Sequence, residues 1–578
     1  MDKRFFIALL LTAIVIVAPP LLFPNKSGPR SGVAVADSVI RSRSDTAKKP
    51  PVMAEQTPPT PDTGKLAPAV TPTAGVATSS PASVAVETTT VRTKLATYLF
   101  SSRGAEPISV ALDSYPSRRP QNIKQPSDLL PVRTPLAHFR LALGRDTIAL
   151  DTVPFRVEVK SESANPSVRY SGAVAGRAVV VNYDIVPDSF LFHVSAFVAG
   201  APAGSALMVD LPKTLRSNEP DTLEDIGHLA VSYRTSSGDI ESVGYSKIDS
   251  TEVRAETRPV SWIAARNKYF LVAYRAPAKT PFSAIRMQGG SRTGKVANSL
   301  SATSFLPLSS DGRAGFDIYA GPQDFERLQK LGNDLDQVNP YGGFLRGVVQ
   351  PFAAIVMRVL LWIKRTTHLN YGWVLVLFGV IIRLALWPLN QGAMRTSMKM
   401  QRLQPELQAL QKRYSDDPRK QQEAVMKVYK DHGMSPLSPL MGCLPMLLPM
   451  PVLFALYFVF QNTIEFRGVS FLWLPDISLR DPYFITPILM GVSMFVMSWV
   501  GMRNAPPNPQ AKMMMYMMPV MLTVLFFNFA SGLNLYYAVQ NMAAIPQQWL
   551  LAHERAKEQP AVATAIRGAP APAQKGRT

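Results

Sequence analysis

The chain has 578 residues, 50 of them proline, is 47% hydrophobic and carries a formal net charge of +20. These averages combine three unlike regions, an apolar start, a polar strand-like middle and a strongly apolar end. A single cysteine, Cys443, excludes an internal disulfide, and six histidines scattered without ligand spacing argue against a histidine-built metal centre.

Phe5 to Phe23, FFIALLLTAIVIVAPPLLF, follows Lys3 and Arg4. At about 1.5 Å per residue it crosses most of a ~30 Å hydrocarbon layer. It reads as a cleaved signal peptide or a retained anchor. Ala34-Val35-Ala36 lies too far beyond the apolar run for ordinary cleavage, which favours an anchor over residues 1–24. Residues 25–90 are rich in Pro, Ala, Ser, Thr and Val and contain no aromatic residue, so they cannot bury a core and read as a disordered tether.

Beyond residue 91 short alternating or β-branched runs take over, such as FRVEVK, RAVVVNYDIV, FLFHVSAFVAG and KYFLVAYRAP, separated by turn residues. They predict a large antiparallel β-sandwich over 91–335. GGSRTGKV, Gly289 to Val296, has the glycine and lysine spacing of a phosphate-binding loop. Val296 stands where a magnesium-binding hydroxyl is needed and no helical pattern follows, so nucleotide binding is not expected.

Gly347 to Ile363 is apolar enough to pass for a membrane span, but it contains Pro351 and Arg358 and is flanked by Arg346, Lys364 and Arg365. Val348, Phe352, Ile355, Val359 and Trp362 recur on one side, which predicts an amphipathic helix within 341–368 lying in the membrane surface. Five apolar runs follow, at 371–390, 442–460, 484–500, 513–529 and 533–549. With the anchor they predict a polytopic α-helical membrane protein of six transmembrane helices carrying an extracytoplasmic β-sandwich. The loop 391–440 holds nine Lys and Arg and the loop 461–483 only Arg467 and Arg480. The first is therefore cytoplasmic, as are both termini, including the basic tail 550–578.

Within 391–440, Met400, Leu403, Leu407, Leu410 and Tyr414 share a helical stripe, SDDP restarts a helix, and Val425, Val428 and Tyr429 line its apolar side. The pattern predicts a helical hairpin. Its basic face, with Lys399, Arg402, Lys412 and Arg413, would contact ribosomal RNA or lipid phosphates, or simply retain the loop in the cytoplasm as a solvated face.

Arg383 interrupts VLVLFGVIIRLALWPLNQ at roughly 10 Å from the cytoplasmic end of its span. Two readings stand. Its long side chain snorkels to the interface beside Trp387 and Pro388, or it faces a water-filled cavity, because a charge in lipid costs at least ~2.5 to 3.5 kcal/mol. Gln461, Asn462, Asn534, Gln540 and Asn541 are polar groups that would wet such a cavity, and no intramembrane Asp or Glu is present to neutralise it. Of 24 methionines, 19 lie between Met394 and Met542, which suits an adaptable apolar binding surface or the packing of a membrane bundle.

The segments IIRLALWPLNQGAMRTSMKMQRLQPELQALQKRY, GCLPMLLPMPVLFALYFVF, DPYFITPILMGVSMF and MMPVMLTVLFFNFASGLNLYYAVQN together resemble the YidC membrane protein insertase family. WIAARNKYFLVAY and IYAGPQDFERLQKLG resemble the end of that family's periplasmic domain more weakly. The resemblance implies a five-helix insertase core in a bacterial inner membrane, preceded by an anchor and a periplasmic domain. It implies that Arg383 lines a hydrophilic groove open to the cytoplasm, with Tyr537, or next to it Tyr536, approaching that groove. Met450, Pro451, Met521 and Leu525 would form an apolar slide for the incoming helix. Gly379 departs from some relatives, which place a hydroxyl residue there. The implied partners are nascent membrane proteins, the Sec translocon, the ribosome transiently and membrane lipids, with no cofactor, no enzymatic reaction and no specific DNA binding. The rival readings are a gated channel or secondary transporter using Arg383 as an anion or selectivity site, and a membrane-anchored sensor whose work is done by the sandwich.

Overall fold

The computed structural model describes residues 86–388 except 133, 161–164, 294–295 and 340–345, then 391–392, 417–432, 450–503 and 509–567, with isolated positions between 403 and 414. The anchor, most of the tether and the end of the basic tail lie outside the described residues. The chain divides into two compact units, one running to Val231 with Val243–Asn267 and Val272–Gly321, the other made of Ser232–Ser242, Lys268–Leu271 and everything from Pro322.

The first unit is built of antiparallel sheets. Arg177–Val186 lies between Ser167–Val174 and Leu191–Val198, and the latter pairs onward with Arg313–Pro322, within a nine-stranded sheet. The alternation in RAVVVNYDIV puts Val179, Val181, Tyr183 and Ile185 on the buried face. A six-stranded sheet sets Ala206–Asp210 between His138–Leu143 and Leu300–Pro307. Rings join these sheets: Phe139 meets Phe316 at 6.4 Å, and in the amino-terminal four-stranded sheet Tyr98 meets Phe192 at 4.7 Å, both edge to face.

One sequence reading changes here. The strand Thr88–Arg92 pairs Thr88 with Ser101, so β-structure starts inside the stretch assigned to the tether, where the β-branched run TTTV suits a pleated edge. In GGSRTGKV, Arg292–Thr293 folds back on Val296–Ala297 as a two-stranded ribbon leading to the strand Leu300–Pro307. A hairpin offers no helix amino terminus to a phosphate.

From Phe325 onward the second unit is built of helices. Helix α1, Phe325–Leu331, is capped by Asp324, which accepts from the Arg327 N–H at 2.9 Å. Helix α2 spans Arg346–Thr367 and α3 spans Tyr371–Ala385; the axes turn by 118° at a break where His368 takes a positive φ of 56°. Asn370 caps α3 by accepting from Gly372 N–H at 2.9 Å. Helix α4, Pro418–Asp431, starts on Asp417 with proline in its first turn. Then come α5, Met450–Asn462; α6, Ile485–Met502; α7, Pro509–Phe526; and α8, Ser531–Arg567. Among the described residues α6 is the one helix long and apolar enough by itself to cross a bilayer, while α5 and α7 contain the shorter apolar stretches Val452–Asn462 and Met515–Phe526.

The apolar stripe singled out on α2 faces outward, with Phe352, Ile355 and Trp362 exposed. The opposite side, Val349, Ala353, Val356, Met357 and Leu360, is buried, and α2 packs on α5 and α3. The helix is apolar on two faces, and periodicity alone cannot say which one meets protein.

The loop between α5 and α6 ties several helix ends together. Asn370 Nδ2 donates to Ser470 O at 3.1 Å; Ser531 N–H donates to Leu479 O at 2.7 Å and Gly532 N–H to Ile477 O at 2.9 Å. A side chain at Gly532 would not fit, because a Cβ there would lie 2.5 Å from Phe460 Cε1. Asp481 accepts from Thr486 N–H at 2.7 Å, Tyr483 N–H at 2.9 Å and Trp473 Nε1 at 3.2 Å, meeting one N–H of the first turn of α6.

Candidate functional site

Arg383 sits in the last turn of α3, where a cation meets the negative end of the helix dipole. Its Nη2 donates to Gln547 Oε1 on α8 at 2.6 Å, and Gln547 Nε2 donates to the Trp387 carbonyl just beyond α3 at 3.2 Å. Gln547 is buried at 1% exposure, and the Arg383 Nε–H is buried without a partner. The guanidinium is thus held by a neutral amide and retains an unmet buried donor.

Three of the five residues expected to wet a cavity around Arg383 hydrogen-bond elsewhere. Asn462 Nδ2 donates to Phe458 O at 2.8 Å, Asn534 Nδ2 to Phe526 O at 3.1 Å, and Asn541 Nδ2 to Ser493 Oγ at 3.3 Å, joining α8 to α6. Gln547 was missed because its partner lies 164 residues away and no local period marks it.

Tyr536 is fully buried against α3, its ring 5.6 Å from that of Phe378. Gly379 lies against the same ring and Val539. Tyr537 turns toward α7, with its ring 5.8 Å from Phe526. Of the two tyrosines, Tyr536 is the one packed on the helix of Arg383. Both hydroxyls are buried without a partner.

Helix α7 presents Met517, Val520, Met521 and Val524 as exposed apolar residues at helical spacing, with Leu525 partly buried beside them. Spacing would have picked out Met517, Val520 and Val524 along with Met521. Pro519 lies within α7, and its carbonyl accepts from Thr523 Oγ1 at 2.7 Å. Met450 and Pro451 are the first two residues of α5. In the basic loop, Leu403, Leu407, Val428 and Tyr429 form a small core joined by Leu410, Val425 and Met426. Arg413 is exposed, its guanidinium 5.7 Å from the centre of the Tyr414 ring, whereas Lys399, Arg402 and Lys412 lie outside the described residues. Among the described residues no group of three or more His, Cys, Asp or Glu forms a candidate metal site.

Residues 86–355 match the family described as the YidC periplasmic domain, and residues 362–559 match the family described as the 60Kd inner membrane protein. The chain is 29% identical to a protein of Chlorobaculum tepidum over 86% of its own length and 87% of the relative's. It is 30% identical to one of Chlorobium limicola over 69% of its own length and 68% of the relative's, and 38% identical to one of Anaeromyxobacter dehalogenans over 52% and 54%. All three relatives bear the name Membrane protein insertase YidC. Among solved structures, the chain is similar to an active YidC insertase crystal structure with its first transmembrane domain resolved, at 19% identity over 80% of this chain and 92% of that one, with a TM-score of 0.33.

Proposed function

The chain belongs to the YidC family of membrane protein insertases, and on that premise we propose that it moves nascent integral membrane proteins from the bacterial cytoplasm into the inner membrane through a groove containing Arg383. The observation that carries this reading is the setting of Arg383, a cation on an apolar helix whose bonded partner is a buried amide rather than a carboxylate. A charge so placed is functional by default. It attracts acidic groups on the polar amino-terminal tail of an incoming helix, whose apolar part then slides along the exposed face of α7 around Met521 and past Met450 into lipid.

The groove shortens the path over which a polar tail crosses bare hydrocarbon, where each unpaired polar group costs several kcal/mol. Transfer of the apolar helix supplies the drive, about 0.8 kcal/mol per buried methylene. The reading includes six spans with both termini in the cytoplasm, the β-sheet unit in the periplasm, the exposed stripe of α2 resting in the membrane surface, and transient contact with the ribosome and the Sec translocon. Among the described residues no carboxylate partners Arg383, which counts against a proton-relay or ion-coupled transporter.

Photocrosslinkers placed at Met450 and Met521 in the reconstituted protein test this reading. Both are expected to capture a ribosome-bound nascent membrane helix. If neither forms an adduct while the reconstituted protein conducts ions, the channel reading replaces it.

A further inference from the structure

The amide of Gln547 faces two opposite demands. Its oxygen accepts from Arg383 Nη2 at 2.6 Å and its nitrogen donates to the Trp387 carbonyl at 3.2 Å. Reversing the amide would set donor against donor and acceptor against acceptor, so its orientation is fixed from both sides. Trp387 lies just beyond α3, at the start of a further helical turn. Glutamine is suited to this position because it accepts and donates without carrying charge. A carboxylate would pair with the guanidinium and offer the carbonyl no donor, and an aliphatic side chain would serve neither.

We infer that Gln547 is a positioning residue that sets how strongly Arg383 recognises acidic groups on an incoming polar tail. It fixes the guanidinium through one donor and leaves the positive charge uncompensated, with the Nε–H buried and without a partner. Among the described residues no acidic group forms an ion pair with Arg383. The client side of the pair is therefore a carboxylate or another anionic group on the translocated segment. This inference rests on the proposed role of Arg383.

The test uses the full chain in proteoliposomes and one client helix carrying either no acidic residue or two in its amino-terminal tail. The readout is the ratio of insertion of the acidic client to that of the neutral one, which a general folding defect leaves unchanged because it lowers both. A ratio of about ten is expected for the unmodified chain, the size of one charge-assisted hydrogen bond. Gln547→Glu, which compensates the guanidinium, is expected to bring the ratio to within about two-fold of one. Gln547→Met, which keeps bulk and neutrality but releases the guanidinium, is expected to lower it to roughly three. Either variant can be read without the other. A ratio of about ten in the unmodified chain that persists in the variants overturns the role of Gln547 and leaves that of Arg383 standing. A ratio near one in the unmodified chain overturns the role of Arg383 itself.

Discussion

Gly379 and Val539 leave no more room between them than one small side chain needs: a Cβ at Gly379 would lie 3.2 Å from Val539 Cγ1, with Tyr536 Cδ2 next at 3.5 Å. Gly379→Ala needs a shift of a few tenths of an ångström and gains up to ~1 kcal/mol of helix propensity, so it is expected to be near neutral. Gly379→Leu overpacks the contact and is expected to destabilise by about 2 kcal/mol or more while pushing α3 from α8. Thermal unfolding of the detergent-solubilised protein followed by size exclusion distinguishes the two. Equal melting for Gly379→Leu and the unmodified chain would show that the helices are not packed here.

Replacing Arg383 tests charge against shape. Lysine keeps a cation but loses the planar fork that reaches Gln547, and is expected to retain insertion of at least some clients. Alanine removes the charge and leaves Gln547 Oε1 without its donor, and is expected to lower insertion by about ten-fold or more. Protease protection of a radiolabelled client in proteoliposomes measures both. Full activity in Arg383→Ala would move the site elsewhere.

Glu465, in the loop after α5, gives a pH dependence. Its Oε1 accepts from Phe325 N–H at 3.3 Å, and its Oε2 is buried without a partner. Burial, reinforced by the nearby carboxylates Asp324 and Glu326, pushes its pKa up to about 8. Glu326 itself pairs with Arg365, and Tyr371 and Asp336 are further titratable neighbours of Glu465. The raised value means that the folded protein holds the proton more tightly than the unfolded chain. This contribution is therefore fully present below the ordinary carboxylate range and is lost as pH rises to about 8, at up to about 1.4 kcal/mol per pH unit. Glu465→Gln is expected to flatten that fall and to melt higher than the unmodified chain at pH 8.5. Parallel melting curves across this window would show that Glu465 does not titrate there.

Asp481 is 1% exposed and holds two backbone N–H groups and the Trp473 indole. Asp481→Ala leaves these donors buried and unmet and is expected to cost about 2 to 4 kcal/mol. Asp481→Asn, which keeps one acceptor oxygen, is expected to recover part of it. Urea-induced loss of helical signal in micelles ranks the three proteins, and an alanine variant as stable as the parent would mean that water replaces the carboxylate.

What was legible in the sequence was local. Alternation in RAVVVNYDIV marked a buried strand face, and the apolar spacing of Leu403, Leu407, Val428 and Tyr429 marked residues that do pack together. Arg383 announced itself by its charge in an apolar run. Its partner did not, since Gln547 is brought near only by the packing of α8 on α3. The protein-facing side of α2 was not legible for a related reason: Ile355 and Val356 are both apolar, and only tertiary contact buries one and exposes the other. Nor does an acidic loop residue such as Glu465 advertise that its carboxyl will lose water.

The loop hydrogen-bonded to Asn370, Thr486, Ser531 and Gly532 gathers one end of α3, α6 and α8. Such an arrangement moves like the tines of a fork sharing one root, where displacement grows with distance from the root. Gln547 stands about 24 Å along α8 from Ser531, so a tilt of only ~5° would carry it roughly 2 Å. That is enough to part it from Arg383 at 2.6 Å while every bond at the root stays made. The setting of the guanidinium thus depends on the tilt of a helix rooted at its opposite end.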